Sequence, residues 1–183
     1  MNTSRLVASL SLFLFTLVST GAWAAPDLRK EVNLSNEFST ATAKAPGWRS
    51  VKTQPGLSVF ERAPDKAKKI NFGLLVLAIE EGPKTTDGVN WKQVRENIVA
   101  AAKAAGSQLS LTVGEAFTAS PGLVGRRLSG TTKVGERTVT VEMVAIVAPN
   151  TLLTISSVGR TDDLGVADLA TAVAQTARVA PKP

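Results

Sequence analysis

The ten residues Ile70–Ile79 (INFGLLVLAI) leave this chain the fewest options. In a strand, successive side chains point to opposite faces, and here both faces are apolar. The run is too short to cross a bilayer as a helix, which takes about 20 residues. Such a segment therefore belongs in the middle of a sheet that is covered on both sides.

Two segments carry the helical period needed for that cover. In the first, Trp91, Val94, Ile98, Ala101, Ala102 and Ala105 share one face. Asn90 stands where an N-cap belongs, Gln93 follows three residues later as in a capping box, and Gly106 suits the C′ position. The second helix is expected to start at a cap on Asp162 or Asp163. Its buried stripe would be Val166, Leu169, Val173, Ala177 and Ala180, with Pro181 as the stop.

The remaining segments alternate like strands or are bounded by turns. They are Trp48–Thr53, Leu57–Arg62, Leu109–Phe117, Leu123–Lys133, Arg137–Ala148 and Leu152–Val158. Gln54-Pro55-Gly56, Val134-Gly135-Glu136 and Pro149-Asn150 supply turn chemistry between them. The order is β-β-β-α-β-β-β-β-α. It predicts an α+β fold, an antiparallel sheet of about six to seven strands flanked by two helices in an α/β/α sandwich.

The N-terminus reads as a targeting segment. Arg5 precedes the 13-residue apolar run Leu6–Val18, and Ala22-Trp23-Ala24 places small residues at the −3 and −1 positions of a cleavage site. Residues 1–24 are therefore expected to be a signal peptide, and the product periplasmic or secreted, with no transmembrane segment after cleavage. The chain has no Cys, so attachment by a lipidated Cys is excluded. Residues 25–46 are polar and read as a flexible leader or a short, loosely docked helix, held by Val32, Leu34 and Phe38. Residues 47–183 read as a single domain, long enough to fold without staples.

Composition narrows the chemistry. With no His, no Cys and no Tyr in 183 residues, there is no imidazole base and no thiolate nucleophile. A serine triad and the usual zinc ligand set are ruled out with them. No catalytic residue, metal ligand or cofactor is assigned. Glu80, Glu81 and Asp87 around the Gly82–Gly88 loop read as solvated acids, since no spacing or motif pairs them.

The charge is uneven. Lys44, Arg49, Lys52, Arg62, Lys66, Lys68 and Lys69 lie within 26 residues that hold only Glu61 and Asp65 as acids, a local charge of +5. After residue 24, the rest of the chain balances 13 basic against 13 acidic side chains. These seven residues are the candidate binding patch, suited to acidic protein surfaces, anionic lipid headgroups or polyanionic envelope sugars. Nucleic acid is a poor fit, because export removes the usual substrate and the patch has few aromatics to stack bases.

In order and pattern, several blocks resemble the PsbP-like and DcrB-like sandwich proteins. They are Gly47-Trp48, the Leu57–Arg62 strand after a Pro-Gly turn, the apolar strand ending at Ile79, and the helix ending in Ala-Ala-Gly106. Leu123-Val124-Gly125-Arg126-Arg127-Leu128-Ser129-Gly130, the Gly135-Glu136-Arg137 hairpin, the hairpin through Pro149-Asn150 and the closing Asp-capped helix complete the set. The resemblance covers about Trp48 to Val179. It implies an accessory or adaptor protein of the cell envelope or of a photosystem periphery, or a chaperone-like partner of other proteins, usually without catalytic residues.

The expectation is thus an exported, non-catalytic accessory protein that binds another envelope protein or an anionic envelope component. The alternative is an inhibitor or immunity-type protein that blocks a toxin or hydrolase in the same compartment; a tight 1:1 complex with one enzyme would mark it.

Overall fold

The computed structural model describes residues 31–44, 49–54, 56–62, 73–118, 123–160 and 166–182. Ten strands and two helices follow in chain order. They are β1 (Glu31–Ser35), β2 (Ser39–Lys44), β3 (Arg49–Gln54), β4 (Leu57–Arg62), β5 (Gly73–Glu81), α1 (Trp91–Ala104), β6 (Ser110–Thr118), β7 (Val124–Val134), β8 (Arg137–Ala148), β9 (Thr151–Arg160), α2 (Val166–Gln175) and β10 (Arg178–Pro181). Seven strands form one antiparallel sheet in the order β3-β4-β5-β9-β8-β7-β6, and three form a second in the order β1-β2-β10. The α+β sandwich expected from sequence is present, with the small sheet as an addition.

β5 holds the place its sequence demands. It pairs with β4 on one side and β9 on the other, and Gly73–Ile79 is buried throughout. Leu75, Leu77 and Ile79 point to one face, where Val144, Ile146, Leu153 and Ile155 continue the layer. On that face α2 contributes Ala170, Val173 and Ala174, and the small sheet contributes Val32, Leu34, Ala41 and Ala43. On the opposite face α1 packs Val94 and Ile98 against Leu111, Leu128, Val141, Met143 and Val147, with Trp91 half-buried alongside.

The caps follow the sequence in part. Asn90 Oδ1 accepts from the Gln93 N–H at 3.1 Å, closing the first turn of α1. The Gln93 side chain does not return the bond; its Nε2 donates to Asn97 Oδ1 at 2.9 Å. Gly106, at φ 83°, ends the helix. Asp162 and Asp163, expected to cap α2, lie outside the described residues.

Two expectations are corrected. Residues 31–44 are not a leader or loose helix but the β1–β2 hairpin. Val32 and Leu34 alternate into the core, while Phe38 at the tip is 39% exposed. Period 2 governs this stretch, and its small polar residues (Ser, Thr, Asn) masked the alternation. Likewise, the last helix stops at Gln175, and Arg178–Pro181 pairs with β2 as an edge strand. Ala180 is therefore an exposed strand residue. Pro181 fits there because an edge strand tolerates a missing N–H.

Two polar contacts tie the small sheet to the large one. Ser39 Oγ and Thr151 Oγ1 are 2.7 Å apart and buried. Asn36 Nδ2 donates to the Glu80 carbonyl at 2.9 Å.

Candidate functional site

The seven basic residues singled out from sequence do not all fall together. Arg49 and Lys52 belong to β3, the outermost strand of the large sheet, and Arg62 ends β4 beside it. In register, Arg49 lies opposite Glu61, Lys52 opposite Val59, and Arg62 opposite Gly73. These three share one hairpin at one sheet edge. Lys44 is on the small sheet instead: it is exposed at the end of β2, and its backbone N–H donates to Thr176 Oγ1 at 2.8 Å. Lys66, Lys68 and Lys69 lie outside the described residues, within the connection between β4 and β5.

β3 is a short edge, six residues long, with a register shift between Ser50 and Lys52. Bulges and cations are both devices that keep an edge strand from pairing with stray chains. Exposed cations in general attract anionic surfaces, and such attraction weakens as salt rises.

The acids behave differently from the solvated set expected. Glu81 and Asp87 are exposed, but Glu80 is largely buried, and burial pushes its carboxyl up from 4.5 to about 7. In register it stands in a row with Leu152 and Val147, on the face covered by α1. The neighbouring apolar run explains why a reading of loop composition missed it: Glu80 still belongs to the strand. Glu142 is raised as well by burial, with the Arg127 guanidinium pulling it back. Glu80 and Glu142 do not converge. Glu142 is in register with Ser157, five residues along β9 from Leu152, which puts the two acids on opposite faces of the sheet. Among the described residues, no group of three or more His, Cys, Asp or Glu is placed to hold a metal ion.

Of the Leu123–Gly130 block, Val124–Gly130 forms the first part of β7. Arg126 and Arg127 fall on opposite faces of β7, Arg126 donating to the Gly114 carbonyl at 3.4 Å and Arg127 near Glu142. Gly130 permits a close crossing, since a Cβ there would collide with the Ser110 carbonyl of β6. No signal in the sequence marked the second feature of interest, a cleft between α1 and β6, because it arises only where a helix flank meets a sheet edge.

Among the described residues these elements define a class: an α+β sandwich of two helices and a broad antiparallel sheet with β3 and β6 at its edges. Its fold is the PsbP-like one. The chain is similar to the solution structure of cyanobacterial PsbP (CyanoP) from Synechocystis sp. PCC 6803, with a TM-score of 0.52 and 20% identity over 88% of this chain and 99% of that one. It is similar also to LpqN, involved in cell envelope biogenesis of Mycobacterium tuberculosis, with a TM-score of 0.51 and 15% identity over 83% and 91% of the two chains. A Bacteroides thetaiotaomicron protein matches at a TM-score of 0.51 and 11% identity over 76% of this chain; the match spans only 45% of that protein. No family model and no curated protein matches the sequence. No helix among the described residues is long and apolar enough to cross a membrane.

Proposed function

We propose that this chain is an exported, non-catalytic accessory protein of the cell envelope. It works by binding an anionic partner, either another envelope protein or an anionic envelope component. The contact is the β3–β4 edge and the Lys66–Lys69 connection that follows it.

One observation carries the reading: the stretch from Lys44 to Lys69 holds a charge of +5, while the rest of the chain beyond residue 24 is neutral. A charge excess concentrated in one stretch of chain raises the local concentration of anionic partners around it and speeds encounter. The N-terminal apolar run with its Ala22-Trp23-Ala24 site supports export. The absence of His and Cys from the sequence supports binding over turnover. The fold shared with LpqN, which is involved in cell envelope biogenesis, supports placing the chain in the envelope.

Purification of the protein from its native envelope, followed by elution in rising salt, tests this. The expected result is a partner held at low ionic strength and released by roughly 0.3 M salt, where exposed charges are well screened. A partner retained at every salt concentration, or conversion of a substrate by the purified protein, would overturn it.

A further inference from the structure

The large sheet ends at β6, and no described strand pairs with its outer side. Helix α1 runs beside this edge. It buries Val94, Ile98 and Ala102. Between the adjoining flank of α1 and the start of β6 lies a cleft of about 310 Å³. Val99, Ala100, Leu109 and Leu111 give it an apolar lining, and Arg95 and Glu96 supply its charge.

Two independent features say what fits there. The first is main-chain geometry. Ser110–Val113 pairs residue for residue with Thr131–Leu128 of β7, and the register breaks only beyond it, between Val113 and Ala116. The irregularity at Gly114 and Glu115 blunts the far half of the edge. The half beside the cleft stays regular, and a regular open edge is a template for an added strand.

The second feature is charge. The Arg95 Nε is buried and has no hydrogen-bond acceptor. The same guanidinium meets Glu96 through Nη2 at 3.2 Å. Successive residues of a helix do not face each other, so this is a local contact rather than a fixed pair. Over its length α1 carries Lys92, Arg95 and Lys103 against Glu96, a charge of +2. Turned away from Glu96, this part-exposed guanidinium would present Nε–H and Nη2–H together, the fork that takes a carboxylate in two parallel hydrogen bonds.

We propose that the α1–β6 cleft receives an extended, carboxylate-bearing peptide segment of a partner protein. The segment adds as a strand along Ser110–Val113 and places an aliphatic side chain among Val99, Leu109 and Leu111. Its carboxylate accepts from the Arg95 Nε–H. This site lies at the opposite edge from β3 and does not depend on the basic stretch.

The test is a ¹⁵N nuclear magnetic resonance titration of the full protein, as its own cell processes it. The probes are a capped six-residue peptide of alternating Val and Thr ending in Asp, and its Asn counterpart. The Asp peptide is expected to shift the amides of Ser110–Val113 and of Arg95–Ala100, and to slow the exchange of the β6 amides. The Asn peptide is expected to bind about tenfold more weakly. Arg95→Gln should bind both peptides equally while keeping the thermal midpoint of the parent, because Arg95 is part-exposed. Equal affinity of the unaltered protein for the two peptides would overturn the proposal. So would shifts confined to β3 and β4, or no shifts at millimolar peptide.

Discussion

The two edge strands of the seven-stranded sheet, β3 and β6, differ in length and regularity. β3 is six residues long, broken in register after Ser50, and carries Arg49 and Lys52. β6 is nine residues long and irregular only past Val113, and α1 lies beside it. One edge strand is short and interrupted; the other keeps a regular half beside a helix and a cleft. A cationic edge repels its own kind and draws anions from a distance, so it suits a first encounter with a surface. A strand bordered by an apolar cleft reads main chain and side chains together, so it suits a shaped ligand. The largest fully buried side chains lie between the edges, many of them in β5, β8 and β9, while β6 adds Leu111 and Phe117.

If the core and the edges divide labour in this way, substitutions at the centre should cost stability and those at the edges should cost little. Ile155 of β9 is fully buried between the layers. Ile155→Ala should lower the unfolding free energy by about 4 kcal/mol, through lost burial and the cavity left behind. Val113→Ala on half-buried β6 should cost under about 1 kcal/mol. Chemical denaturation of the two variants decides it; equal losses would remove the distinction.

Glu80 lies in the central strand β5, and its pH dependence separates that strand from the exposed acids. The folded protein keeps the Glu80 proton up to about pH 7, whereas the unfolded chain gives it up near 4.5. The folded state therefore binds more protons across this window. The contribution from Glu80 is fully present below pH 4.5, falls as pH rises towards 7, and is constant above. Its size is on the order of 3 kcal/mol. Denaturation curves from pH 4.5 to 8 should show this decline in the parent, and Glu80→Gln should lack it. A decline that persists in Glu80→Gln would assign the effect elsewhere.

The β6 edge depends on how closely it crosses β7. Gly130→Ala places a Cβ against the Ser110 carbonyl, and the strand must move to make room. The expected loss is about 2 kcal/mol, with faster amide exchange in Ser110–Val113. Unchanged exchange there would show that the crossing does not hold the edge in place.

Much of this fold was legible from periodicity. The Ile70–Ile79 run demanded a covered central strand, and Gly73–Ile79 occupies one. Asn90 and Gly106 marked the limits of α1, and Pro149-Asn150 marked the β8–β9 turn, with Asn150 at φ 55°. The small sheet was not legible. Its strands are short and built largely of Ser, Thr, Asn and Ala, and β10 joins β2 from more than 130 residues away, a pairing no local pattern encodes. Of the candidate site, the cluster of cations was visible because charge is a property of composition. The separation of Lys44 from Arg49, Lys52 and Arg62 was not, because it follows from which sheet each strand joins. The α1–β6 cleft belongs to the same category: Arg95 looks like any solvated helix residue until the flank beside it meets Leu109.

The electropositive stretch from Lys44 to Lys69 is the proposed point of attachment. Its most direct test is the affinity for the partner recovered from the envelope, measured at several salt concentrations for the parent and for a variant carrying Lys66→Glu, Lys68→Glu and Lys69→Glu together. Binding that falls steeply with salt in the parent, and at least tenfold at low salt in the variant, is the predicted result. The same affinity and the same salt slope in both proteins would contradict it.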